Sequence, residues 1–294
     1  MRMPKLIMLV GIPGAGKTTY AKEMVQEVGS GILHVSSDGI RKELRPDDDW
    51  YHPEDNGKVY EIMFRRTLDA LANGQDVIYD ATNVSRKDRA SIIHQCPRYV
   101  KIECHIIWAP IEMCIERDAA REHPVGKEAI DKMLKRFQAP FYDEGITEIK
   151  IVRPADFLFG RYEEECRLAM HIPHDNPHHK LSIFEHCLEA SKFMICSPYD
   201  WALHFAAYWH DMGKPYTKAF VNSRGEPCEI AHFYQHHAVG SWMSYGLSDT
   251  TPYTAWLIST HMDVFFANTK YYNNLPPFLK NKIDILHEAD LAAH

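Results

Sequence analysis

Two patterns of apolar and polar positions divide the chain. Over residues 1–152, short apolar runs alternate with amphipathic stretches. Lys5–Val10, Ile32–Ser36, Val77–Asp80, Ile102–Trp108 and Glu148–Val152 read as strands. Thr18–Val28, Gly57–Asn73, Ser85–Gln95, Ile111–Arg121 and Glu128–Phe137 read as helices, with Ser85 and Asp88 spaced as an N-terminal cap. Strand and helix in alternation predict an α/β domain, a parallel sheet with helices on both faces and its working edge at the strand C-termini. From His178 onward the apolar faces are long and helical with no clear strands, which predicts an all-α helical bundle over 178–294. Between them, residues 153–177 hold Pro154, the acidic run Glu163–Glu165, Pro173 and Pro177. The aromatic stretch Phe157–Tyr162 makes this a packed connector rather than a flexible tether.

Composition adds limits. The chain has 294 residues, 45% hydrophobic and 25% charged, enough for two soluble domains with cores of their own. A net charge of −7 excludes a generic polyanion binder, so any nucleic-acid contact must be local. No apolar run is long enough to cross a bilayer, and Met1-Arg2-Met3-Pro4 leads straight into the first strand without a signal peptide. Seven cysteines without a CxxC pair suit a reduced, cytoplasmic protein. Histidine stands out: 13 of the 18 lie after residue 153, which points to a metal site in the second half.

Gly11-Ile12-Pro13-Gly14-Ala15-Gly16-Lys17-Thr18-Thr19 links the first strand to the first helix, the context of a phosphate-binding P-loop. Its backbone N–H groups and the helix N-terminus would cradle the phosphates of ATP. Lys17 would reach the β- and γ-phosphates, and Thr18 would bind Mg2+.

Three further groups fall at or near the same sheet edge. Asp38 follows the second strand, with Arg41 one turn later. The carboxylate suits a base for an acceptor hydroxyl and the guanidinium suits an acceptor phosphate; equally, Asp38 could cap the helix that follows. Asp80, Thr82 and Asn83 close a buried strand, where Asp80 could help hold Mg2+ or position phosphate; the same residues also favour turns. Arg117 and Arg121 share a helix face, as arginines of a lid over ATP or as a solvated face pairing with Glu112, Glu116 and Asp118.

Taken together, Gly11–Thr19, Ser37-Asp38-Gly39-Ile40-Arg41, Asp80-Ala81-Thr82-Asn83 and the arginine pair resemble the 5′-polynucleotide kinase family, phage-type end-healing kinases most of all. The resemblance implies transfer of the ATP γ-phosphate to a 5′-hydroxyl of RNA or DNA. It makes Asp38 the general base, puts Arg41 on the acceptor phosphate and Asp80 in the acceptor site, and sets Arg121 over ATP. The DxDxT-type phosphatase signature that often accompanies such kinases is missing; Asp47-Asp48-Asp49-Trp50 reads as an exposed acidic loop.

In the second half, His186, His210-Asp211-Met212-Gly213-Lys214, His232-Phe233-Tyr234-Gln235-His236-His237, His261 and Asp290 occur in that order. Imidazole nitrogens with carboxylate oxygens suit Mn2+, Fe, Co2+, Ni2+ or Zn2+. The order resembles the HD phosphohydrolase superfamily. That resemblance implies a first metal on His186, His210, Asp211 and Asp290, and a second on His236 and His261 with Asp211 bridging. It also sets Lys214 on the scissile phosphate and leaves His179 and His232 as substrate contacts or supports for the ligands.

If both resemblances hold, the chain heals RNA ends: a 5′-hydroxyl kinase joined to a metal-dependent hydrolase of 2′,3′-cyclic, 2′- or 3′-phosphates, with sealing left to a separate RNA ligase. Two rivals remain, a nucleoside or nucleotide kinase fused to a nucleotidase, and a non-catalytic NTP-responsive binding module.

Overall fold

The computed structural model describes residues 3–47, 52–177, 180–196, 200–265 and 270–293. The chain forms two compact units, residues 1–133 with 140–155, and residues 134–139 with 156–294.

The first unit runs β1 (Lys5–Val10), α1 (Lys17–Val28), β2 (Ile32–Ser36), α2 (Ser37–Leu44), α3 (Asn56–Ala72), β3 (Asp76–Asp80), α4 (Arg86–Ile93), β4 (Lys101–Ile107), α5 (Ile111–Ala119), α6 (Lys127–Leu134) and β5 (Glu148–Val152). The five strands form one parallel sheet in the order β2-β3-β1-β4-β5. From β1 the chain crosses to β2 and β3 on one side, then to β4 and β5 on the other. The C-terminal ends of β1 and β3 therefore border the point where the strand order switches, the usual place for a ligand in such sheets.

Both faces are covered. Ile7, Leu9 and Ile78 pack with Ala21 of α1, and Met24 and Val25 lie against the same cluster. Tyr79 follows Ile78, so it points to the opposite face, where its ring stacks on Phe64 of α3 at 6.3 Å. The predicted strands match these within one residue at each end. Ser85 caps α4 in a full capping box with Asp88, a feature worth about 1 kcal/mol.

Of the two roles left open for Asp38, capping is not the one observed. Ser36, not Asp38, caps α2, its Oγ accepting from the Gly39 N–H at 3.3 Å. Asp38 lies in the first helical turn with its carboxylate exposed. Of the acidic run, Asp47 is exposed, while Asp48 to Trp50 lie outside the described residues.

The second unit contains α7 (Phe159–Ala169), α8 (Ile183–Phe193), α9 (Trp201–Trp209), α10 (Lys214–Thr217), β6 (Ala219–Val221), β7 (Pro227–His232), α11 (His236–Ser244), α12 (Pro252–Thr260), α13 (Lys270–Asn274) and α14 (Pro277–Ala292). Residues 254–260 of α12 are buried on every side, as a central helix must be. α9, α11 and α14 pack around it. Its hydroxyls need partners at that depth, and Thr260 Oγ1 finds one in the Trp256 carbonyl at 2.8 Å. Phe137 sets its edge against Trp242 and Tyr245 at 5.4 and 6.1 Å.

The all-α expectation for the second half needs correction: β6 and β7 form an antiparallel hairpin. Both strands are short and only Ala231 in them is buried, the rest being exposed or half-buried, so they lack the apolar alternation that marks a half-buried strand. The stretch read as a connector also carries a regular helix, α7.

Candidate functional site

The P-loop lies between β1 and α1. Gly14 and Gly16 take left-handed backbone angles, φ 79° and 105°. At Gly14 a Cβ would fall 2.0 Å from the Cys114 carbonyl oxygen, so no other residue fits without moving the loop. α1 starts with no side-chain cap and no acidic residue in its first turn, which leaves its positive end for an anion. The Lys17 ammonium donates to the Gly11 and Ile12 carbonyls at 2.9 and 3.0 Å. Burial lowers its pKa; Asp80 and then Asp38 oppose that, while Arg121 adds to it. Asp80, Asp38 and Arg121, separated in sequence, therefore converge electrostatically on Lys17.

Asp80, at the end of β3, accepts from Thr18 Oγ1 at 3.0 Å, and His34 Nε2 lies 3.0 Å from the same carboxylate oxygen. This places Asp80 beside the residue expected to hold Mg2+. Thr82 and Asn83 serve the loop itself. The Thr82 carbonyl accepts from Gly11 N–H at 3.0 Å, and the buried Asn83 amide donates to the Leu9 carbonyl at 2.7 Å. Asn83, expected among the acceptor contacts, thus has its amide committed to the backbone. Arg89, wholly buried, holds the Asn83 carbonyl with Nη1 at 3.0 Å and Glu144 with a two-point contact at 2.7 Å each.

Asp38 lines a cavity of about 460 Å³ together with Thr18, His34, Lys42 and Arg66. Arg41 donates to Asn56 Oδ1 at 2.7 Å, joining α2 to the start of α3. Arg117 is exposed on α5. Arg121 lies just past α5 and is tied to Asp118, whose carbonyl accepts its N–H at 3.0 Å and whose carboxylate takes the Gly126 N–H at 2.9 Å.

The second unit gathers its histidines round Asp211. His186 Nε2 lies 2.9 Å from Asp290 Oδ1, with Asp211 Oδ2 at 3.6 Å. His210 Nε2 lies 3.3 Å from Asp211 Oδ2 and 3.5 Å from Asp290 Oδ1. On the other side of Asp211, His236 Nε2 lies 3.1 Å from Oδ1 and 3.2 Å from His261 Nε2. His186, His210 and Asp290 form one group of donors and Asp211, His236 and His261 another, each with its ligand atoms within 4.8 Å of one another. Cys187 with His210 and Asp211 makes a third, but its sulfur lies by His210 Nδ1, 3.7 Å away.

The tautomers follow from the outer contacts. Nδ1 of His186, His210, His236 and His261 faces the backbone carbonyls of Ala293, Ala207, Phe233 and Ile258 at 3.3, 2.8, 2.9 and 2.8 Å. Only an N–H satisfies a carbonyl, so each neutral ring turns a bare Nε2 inward. His210 Nε2 and Asp211 Oδ2 are buried without an aligned hydrogen bond. The set fits a cation through its inward-turned imidazole nitrogens and two carboxylates, while Lys214 places a positive charge against Asp211. Burial would raise Asp211, but His210 and Lys214 hold it well below the carboxylate range. Burial would lower His210, but Asp211 raises it well above the imidazole range, so without a cation this ring also carries a proton on Nε2, which an incoming ion would displace. Burial, with His210 and His236 close by, keeps His261 well below that range.

Lys214 Nζ lies 2.5 Å from Asp211, 3.2 Å from His174 Nε2 and 5.4 Å over the Phe233 ring. His174 was not singled out from the sequence, because its neighbours read as connector. It is buried, its Nδ1 faces the Leu181 carbonyl at 3.0 Å, and burial and Lys214 push its pKa down to about 4. His34 and Arg89 were missed as well, because their contacts depend on partners distant in sequence; Asp118, read as a partner of the arginine pair, does pair with Arg121. His232 stacks on Tyr234 at 5.3 Å and belongs to none of the three donor groups among the described residues. His179 lies outside the described residues.

Residues 6–140 match the family model for an AAA domain. With the sheet order and the loop geometry, that makes the first unit an α/β P-loop domain, followed by a helical C-terminal region. Among solved structures, a chain of the Pnkp1/Rnl/Hen1 RNA repair complex is 26% identical, with a TM-score of 0.40 over 46% of this chain and 44% of that one. A fungal RNA kinase is 12% identical, TM-score 0.37, over 53% and 78%. A gluconokinase from Sinorhizobium meliloti 1021 is 17% identical, TM-score 0.36, over 53% and 86%. The chain spans less than half the length of the repair-complex chain it matches. No helix among the described residues is long and apolar enough to cross a membrane.

Proposed function

We propose that the chain is a bifunctional RNA end-healing enzyme, an ATP-dependent 5′-hydroxyl kinase joined to a metal-dependent phosphohydrolase of the HD type. The observation that carries the reading is the position of Asp211 between two donor groups, 3.6 Å from His186 and 3.3 Å from His210 on one side and 3.1 Å from His236 on the other, in a chain that also holds the Lys17, Asp38, Asp80 and Arg121 constellation. The first chemistry puts a phosphate on one side of an RNA break, and the second takes phosphate off the other.

In the kinase, the P-loop amides and Lys17 hold the ATP phosphates. Asp38, exposed at the cavity, takes the proton of the acceptor hydroxyl as its oxygen attacks the γ-phosphorus and the bond to the β-phosphate oxygen breaks. Arg121 neutralises charge on the group in transfer. Thr18 and Asp80 would hold Mg2+, which supplies electrostatic neutralisation of the phosphates. In the second unit, His186, His210, Asp211 and Asp290 would hold one divalent ion, and Asp211, His236 and His261 a second. Bound there, such ions supply Lewis acidity toward a phosphate ester. Lys214, held by Asp211 and His174, meets a phosphate oxygen.

The test presents 5′-hydroxyl RNA and free nucleosides in competition for γ-labelled ATP and Mg2+, and follows loss of the 2′,3′-cyclic phosphate with Mn2+ or Ni2+. Label on the oligonucleotide and metal-dependent loss of the cyclic phosphate are expected. Preferential labelling of nucleosides would instead make the chain a small-molecule kinase. Absence of turnover at both sites would make it a binding module.

A further inference from the structure

β7 ends at His232, and the chain runs on through Phe233, Tyr234 and Gln235 to His236 at the start of α11; these five residues face two ways. Phe233 turns inward: its ring lies under Lys214 and edge-on to His174 at 5.9 Å, and its carbonyl faces His236 Nδ1. Tyr234 turns outward, and the half-buried His232 lies nearly parallel to it, 7° between planes and 5.3 Å between centres. Tyr234 is 40% exposed. Gln235 takes the left-handed backbone, φ 62°, and turns the chain into α11. Two residues of chain span at most about 7 Å and four at most about 14 Å, so the Tyr234 backbone lies within the first reach of His236, a member of the second donor group, and the His232 backbone within the second.

An exposed tyrosine ring stacked on a half-buried histidine, close along the chain to a phosphate-suited cluster, has few uses in packing. Tyr234 adds nothing to the core, and His232 covers one of its faces. An open aromatic face is the usual support for an unstacked base in single-stranded RNA. The geometry points to the His232–Tyr234 pair as a platform for the base of the 3′-terminal nucleotide whose phosphate enters the Asp211 cluster. This rests on reading that cluster as the hydrolytic site, and it extends the reading to the substrate. The site takes the end of a single strand by stacking rather than by base-edge hydrogen bonds, and is therefore tolerant of sequence.

The test measures binding and turnover of 5′-phosphorylated, 3′-phosphorylated oligoribonucleotides that are identical except for an intact or an abasic 3′-terminal residue. Stacking of one base predicts that the intact end binds about 5- to 150-fold tighter. Tyr234→Ala removes that difference and Tyr234→Phe keeps it. Phe278→Ala, an exposed aromatic on α14 well apart in sequence, leaves it unchanged. Equal affinity for intact and abasic ends in the wild type, or a base effect that survives in Tyr234→Ala, overturns the platform. Base-dependent binding without turnover under any divalent metal supports the platform and overturns the hydrolytic reading. Turnover with base-independent binding does the reverse.

Discussion

Four imidazoles in the second unit turn the same nitrogen inward because backbone carbonyls hold the other one. That is a positional statement about single residues, and it predicts behaviour on metal addition. A ligand that binds only the folded state raises stability by about 2.7 kcal/mol at a hundredfold excess over its Kd. Mn2+ or Ni2+ should therefore raise the Tm of the wild type, measured by calorimetry, and a chelator should reverse it. Asp211→Asn, which removes the charge shared by both donor groups, should lose most of the shift; an undiminished shift in that variant would place the ions elsewhere.

A second residue-scale prediction concerns His105, buried in the first unit beside Glu103 and hydrogen-bonded to Tyr20 at 2.9 Å. Burial, and then Lys150, hold its pKa below the ordinary imidazole value against the pull of Glu103. The folded protein thus keeps it neutral where the unfolded chain, titrating near pH 6.5, takes a proton. Its contribution is complete above about pH 6.5 and is lost as the pH falls toward the lower folded value. In urea unfolding, the stability gap between wild type and His105→Gln should shrink between about pH 7.5 and pH 5. A gap that widens in acid would contradict this.

At the scale of elements, the parallel sheet was legible because its strands are apolar runs bounded by glycine, polar turns or helix starts. The α4 cap was legible because Ser85 and Asp88 lie three apart. The β6–β7 hairpin was not, since only Ala231 of its two strands is buried. α7 was hidden by Glu163–Glu165, which face outward or lie half-buried while Cys166 packs inward. The site residues that carry charge toward a ligand were visible as motifs. The residues that aim them were not: Arg89 reaches Glu144 across 55 positions, a pairing no local pattern carries. Such a buried ion pair holds the Asn83 turn under the P-loop strand. Arg89→Ala leaves Glu144 buried without its partner, and should cost about 3–5 kcal/mol in denaturant unfolding. A loss below about 1 kcal/mol, the level of a surface ion pair, would show that the turn stands without it.

For the whole molecule, the candidate groups of each proposed site lie within one unit: Lys17, Asp38, Asp80 and Arg121 in the first, and the three donor groups in the second. The P-loop domain and the Asp211 cluster should therefore fail separately. The direct measurement takes one oligoribonucleotide with a 5′-hydroxyl and a 2′,3′-cyclic phosphate and follows the mass of both ends. Wild type with ATP, Mg2+ and Mn2+ or Ni2+ should add phosphate at the 5′ end and open or remove the cyclic phosphate. Lys17→Ala should lose the 5′ gain alone, and Asp211→Asn the 3′ change alone. Loss of both activities in either soluble, folded variant, or no change at either end with the wild type, would contradict the two-site account.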